Sequence, residues 1–129
     1  MSPNNITIIN DRTKEIAELI YDSALTTLSV NFADGSSITG SGNNLFECFS
    51  QIRSLRPDIV FLCKGAKRNV YPSRMSSQMA SGLLAYELKL GEQALKNDIV
   101  NIFDYDEMDI AKSPNDQAEF FKKWLNSLK

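Results

Sequence analysis

Side chains able to do chemistry gather in two stretches of the chain. The first runs Lys64, Gly65, Ala66, Lys67, Arg68, Asn69, Val70, Tyr71, Pro72, Ser73, Arg74 and follows an apolar segment. Gly, Lys, Arg and Ser at a strand end are the ingredients of an anion-binding loop, where backbone N–H groups approach a phosphate and cations close over it. The spacing is not that of a P-loop, which needs two glycines bracketing four residues ahead of Lys-Ser or Lys-Thr. What remains is a basic loop in which Lys67, Arg68, Tyr71 and Arg74 recognise an anion or stack a base, or a solvated basic edge with a structural role. The second stretch is acidic: Asp104, Asp106, Glu107 and Asp109, with Tyr105 and Met108 between them. It lacks the fixed ligand positions, central glycine and terminal glutamate of an EF-hand loop. Adjacent carboxylates can do acid–base work, but on a connection they also make a solvated edge or a recognition surface for a basic partner.

Nucleophilic chemistry has little support. Ser73, Ser76 and Ser77 offer hydroxyls, yet the chain contains no histidine, the commonest general base and zinc ligand. A Ser-Lys arrangement would be needed for acyl transfer, and nothing in the spacing is diagnostic of one. Cys48 and Cys63 fall in apolar stretches that read as buried helix and buried strand, where a thiol packs as a small apolar group. Two thiols make neither a disulfide framework nor a zinc site. The expectation is a protein that binds rather than catalyses, with no metal and no cofactor.

These residues need elements to position them. Leu28, Val30 and Phe32 alternate with Ser29 and Asn31, and Asp34-Gly35 supplies turn residues before Ser37, Ile38 and Thr39, a hairpin pattern. Asn44 and Glu47 have the spacing of a capping box ahead of Leu45, Cys48, Phe49, Ile52 and Leu55, which predicts a helix stopped by Pro57. Ile59 to Cys63 is a continuous apolar run suited to a central strand covered on both faces. Leu84, Tyr86, Leu88 and Leu90 alternate with Ala85, Glu87 and Lys89, predicting a half-buried strand closed by Gly91. Ile99 to Phe103 then reads as its antiparallel neighbour. Met75 and Met79 sit one helical turn apart before Gly82, so 72–81 reads as a short helix. Ser113, Pro114 and Asp116 mark the start of a final helix whose apolar face is Phe121, Trp124, Leu125 and Leu128. The segment 13–25 is ambiguous between helix and strand; Ile16, Leu19 and Ile20 favour helix.

With 129 residues, 43% hydrophobic and 23% charged, the chain suits one domain, 1–129, and is too short for two cores. The expected architecture is α+β, a mixed and mostly antiparallel sheet with helices packed on it. A net charge of -2 gives no global reason to approach nucleic acid or an anionic membrane. No secretory signal is evident at the amino terminus, and no run approaches the ~20 apolar residues of a membrane helix, which points to the cytoplasm.

The second half of the chain resembles immunity proteins encoded beside bacterial polymorphic or contact-dependent growth-inhibition toxins. The residues that carry the resemblance are Leu62, Cys63, Gly65, Ala66, Arg68, Val70, Tyr71, Pro72, Ser73 and Met75, continuing through Gly82, Ala85, Tyr86, Val100, Ile102, Phe103 and Asp104. Arg74 and Ala80-Ser81 stand where the family pattern is often glycine. The resemblance implies a protein that binds a cognate toxin C-terminal domain and blocks it, with no catalytic group of its own. An acidic domain with exposed carboxylates suits a basic nuclease groove, which makes Asp104, Asp106, Glu107 and Asp109 the expected toxin contact. The alternative is a small-ligand or nucleic-acid module using Lys67, Arg68, Tyr71 and Arg74.

Overall fold

The computed structural model describes residues 2–73 and 81–129, with the backbone alone for Ser2 and Pro3. The expected helix at 72–81, with Met75, Met79 and Arg74, therefore falls largely outside the described residues.

The chain is α+β, and its strands form two sheets in which every pairing is antiparallel. The larger begins with β1 (Ser2–Asn10) and β2 (Thr13–Asp22), a long hairpin closed by Asp11 and Arg12, both at positive φ. Two such residues are what a tight two-residue hairpin demands. Here the helix expected over 13–25 is replaced by a strand. Ala17 and Leu19 face the core while Lys14, Ile16 and Glu18 face out, so the period is two, and the exposed Ile16 is what mimics a helical stripe.

The predicted hairpin is present as β3 (Thr27–Asn31) and β4 (Ser37–Ser41), with Leu28 and Val30 buried. Its turn is fastened by Asp34, which accepts from both the backbone and hydroxyl of Ser36. α1 (Leu45–Leu55) lies across β4 and β3. Gly40 of β4 has no room for a side chain there, because the α1 backbone at Cys48 occupies the place of a Cβ. Asn44 caps the helix by accepting from Glu47 N at 2.9 Å, and Glu47 reaches back to Asn43 N at 3.2 Å, one residue beyond the N-cap N–H of the standard box.

The central strand expected at Ile59–Cys63 is corrected to a short outer one. β5 (Val60–Phe61) pairs with β1 at the end of the order β4-β3-β2-β1-β5, and Val60 is exposed. Ile59, Phe61, Leu62 and Cys63 are nonetheless buried, because the other side is covered by an irregular arm at 102–111 rather than by another strand. Phe61 and Phe103 each pack edge-on against Phe49, at 5.3 and 5.5 Å between ring centres, and so join helix, sheet and arm in one core.

The smaller sheet is β6 (Val70–Tyr71), β7 (Leu84–Glu87) and β8 (Ile99–Asn101). The antiparallel neighbours are as expected, and Leu88 is buried as expected just past the strand end, but within β7 the phase differs: Ala85 is fully buried and Leu84 and Tyr86 are half-buried, while Leu90 beyond the strand is exposed. α2 (Pro114–Ser127) starts as predicted, with Ser113 accepting from Asp116 N. Its inward face is Gln117 and Trp124, with Phe121 half-buried, whereas Leu125 and Leu128 are exposed and leave the predicted apolar face.

Candidate functional site

The basic and acidic stretches found in the sequence lie against each other. After β5 the chain makes a single 3-10 turn, Lys64–Ala66, and its backbone is stitched to the acidic arm. Lys64 N donates to Asp104 O at 2.8 Å, Gly65 N to Ile102 O at 2.7 Å and Arg68 N to Asp109 O at 2.9 Å. Gly65 is required by this approach, since a Cβ there would come within 2.7 Å of the Ile102 Cβ and 2.8 Å of its carbonyl oxygen. Gln117 of α2 holds the turn from below: its amide nitrogen lies 2.8 Å from Gly65 O and 2.7 Å from Lys67 O.

The side chains then pair. Lys67 Nζ donates to Asp106 Oδ2 at 2.8 Å and Glu87 Oε2 at 2.9 Å, while Lys64 Nζ donates to the same Asp106 oxygen at 3.1 Å. Lys64 also lies 3.7 Å from Glu87, which closes a ring of two cations and two carboxylates. The Lys67 ammonium holds the Asp106 carboxyl well below the usual carboxylate range, helped by the Met108 backbone N–H. Burial works against the charge on Lys67, but the Asp106 and Glu87 carboxylates outweigh it and keep its pKa above the usual lysine value. Farther along, Arg68 pairs with Asp109 at 3.3 Å and Lys14 reaches Glu107 at 3.8 Å. The Tyr105 hydroxyl donates to Glu107 at 2.6 Å.

The four predicted acids thus divide by role. Asp106 turns inward, only 16% exposed at its side chain, and anchors the loop. Asp104, Glu107 and Asp109 face out, with Tyr105 and Met108 among them at 52% and 68% exposure. The alternative site fares differently. Lys67 is consumed in the ionic ring, Arg68 pairs with Asp109 and lies over the Phe120 ring, and Tyr71 is stacked on Phe121 at 4.6 Å between ring centres. Arg74 lies outside the described residues.

Residues not singled out from the sequence complete the arrangement. Glu87 was assigned to the outward face of a strand, and Gln117 and Arg53 lie on apolar helix faces. Gln117 shares helical spacing with Phe121 and Trp124, and Arg53 follows Phe49 by one turn, so a polar residue within each apolar stripe was the available signal. Cys48 and Cys63 are both fully buried, and burial pushes the Cys63 thiol up to about 12. Among the described residues no group of three His, Cys, Asp or Glu side chains is placed to hold a metal ion. No helix among them is long and apolar enough to cross a membrane.

No family model matches the chain, and no curated protein matches it.

Proposed function

We propose that this protein is an immunity protein that binds a toxin domain in the cytoplasm and neutralises it by occlusion, with 104–109 as the contact. The observation that carries this reading is a loop fixed from behind and open in front. Asp106 is clamped by Lys67 and Lys64, while Tyr105 and Met108 stand exposed among Asp104, Glu107 and Asp109. A large aromatic and a methionine rimmed by charge on a rigid support is the composition of an interface core with a polar rim. Holding the loop in place before binding reduces the ordering cost of association. The resemblance of the second half of the chain to immunity proteins supplies the partner class.

Internal pairing also refines how the contact works. Glu107 and Asp109 each have a cation nearby, so the loop does not act as four bare charges. Recognition rests on Tyr105 and Met108, with Asp104, Glu107 and Asp109 setting register against a basic partner surface such as a nuclease groove. The use of the basic loop for a base or small anion has less support, because among the described residues Lys67, Arg68 and Tyr71 are already engaged.

The test is coexpression with the toxin domain encoded beside the protein. Growth is rescued and a one-to-one complex purifies if the reading is right. A toxin that kills undiminished, with no complex recovered, rejects it.

A further inference from the structure

The most exceptional buried charge lies away from the acidic loop. Arg53 sits on the inward face of α1 with 7% of its surface exposed, its guanidinium carbon 4.9 Å from the Phe49 ring centre. Among the described residues no carboxylate pairs with it. Its two hydrogen bonds among the described residues both leave from Nη2, to Gln117 Oε1 at 2.6 Å and Ser50 Oγ at 3.3 Å. Nε is buried without an acceptor. Burial draws its pKa down to about 10, which still leaves it charged at neutral pH. A cation removed from water with no counter-charge opposes folding, and an apolar side chain of similar length would pack there without that penalty.

Arg53 borders a cavity of about 250 Å³ between β5 and the segment that leads into α2. Ile59, Phe61 and Ile110 give it apolar walls, Lys112 and Ser113 give it a polar rim, and no acid lines it. Ser113 caps α2, so the positive end of that helix adds to the charges of Arg53 and Lys112. Two of the acids nearest in sequence are engaged elsewhere, Asp58 with Arg56 and Asp109 with Arg68, while Asp116 accepts from the Lys112 backbone N–H at the rim and offsets part of the helix-end charge there.

We propose that this cavity binds a small monocarboxylate with a compact apolar body, its carboxylate accepting from the unused N–H groups of Arg53 and its hydrocarbon lying on Ile59, Phe61 and Ile110. One buried guanidinium in a mainly apolar cavity suits a single carboxylate better than a phosphate dianion, which calls for more donors. The cavity wall at 110–113 follows directly on the 104–109 loop, but the carboxylate site does not rest on the toxin reading.

Calorimetry of the full chain with hexanoate tests the site, with hexanamide and inorganic phosphate as comparisons. Hexanoate binds saturably at one to one, hexanamide gives no saturable heat, and phosphate binds more weakly. Arg53→Met abolishes hexanoate binding. Because that change also strips Gln117 Oε1 of its donor, Lys112→Glu at the exposed rim serves as the second variant and weakens hexanoate binding roughly five-fold, the size of a rim-charge effect. Absent saturation with hexanoate, equal binding of hexanamide, tighter binding of phosphate, or an unchanged affinity in folded Lys112→Glu would each overturn the proposal.

Discussion

Asp106 differs from its acidic neighbours in what surrounds it rather than in what it is. The Lys67 and Lys64 ammonium groups share one of its oxygens, and its other oxygen accepts from Met108 N at 2.9 Å. Charge-assisted hydrogen bonds of this kind lead to an expected loss of about 2 kcal/mol for Asp106→Asn. The sign of its pH dependence follows from the depressed folded-state pKa. The stabilisation is fully present above the unfolded value of about 4 and drains away as pH falls from there through the folded value. Urea denaturation from neutral pH downward therefore shows wild type and Asp106→Asn converging in acid. A gap of constant size at all pH values would show that the carboxylate is not ionically held. Cys63 gives a second check at this scale. A fully buried thiol with its pKa raised to about 12 stays unlabelled by maleimide in native buffer and reacts only on unfolding. The composition of the two clusters was legible in the sequence, but their pairing was not. Lys67 and Asp106 are remote in sequence, and only the fold brings Nζ within 2.8 Å of Oδ2.

Elements whose signals are local were the readable ones. Asn44 and Glu47 announced α1, Ser113 and Pro114 announced α2, and Asp34-Gly35 announced the β3–β4 hairpin, each through hydrogen bonds within a few residues. The β1–β2 hairpin escaped because Asp11-Arg12 takes the two positive-φ positions without the usual glycine. β5 and β7 were misread for a different reason: their burial comes from the arm at 102–111 and from neighbouring elements remote in sequence, so local alternation gave the wrong place or phase. The same limit applies to α2, whose last two leucines continue the helical stripe past the surface it covers. This makes a paired test. Trp124 is 9% exposed, stacks on Phe121 and donates to Glu92 O at 2.9 Å, so Trp124→Ala costs about 3 to 5 kcal/mol. Leu125→Ser, on the exposed side of the helix, costs under about 0.5 kcal/mol. Chemical denaturation of both variants decides it, and comparable losses would place α2 in the wrong rotation.

At the scale of the molecule, strands of both sheets and α2 converge behind one loop. β5 positions the turn at Lys64, α2 holds it through Gln117, and β7 supplies Glu87 to the ionic ring. Such convergence gives a rigid surface, and rigidity suits a protein whose proposed task is to occlude a partner. Because Glu107 and Asp109 are partly compensated by Lys14 and Arg68, long-range attraction is a secondary contribution. Neutralising Asp104, Glu107 and Asp109 together slows association with the toxin domain by a few-fold at low salt, and added salt erases the difference. Stopped-flow association at two ionic strengths measures this. On the proposed reading dissociation, in contrast, is governed by the apolar contacts.

The proposed contact is tested most directly by calorimetry of Tyr105→Ala against the toxin domain, with circular dichroism and urea denaturation confirming the fold. Tyr105 is exposed and its side chain meets Glu107 and Lys14, both at the surface, so its removal leaves the core untouched. The predicted result is a loss of affinity of about 30-fold or more, the size of an aromatic hot spot. A folded Tyr105→Ala variant that binds the toxin domain as tightly as wild type would contradict the assignment of 104–109 as the contact.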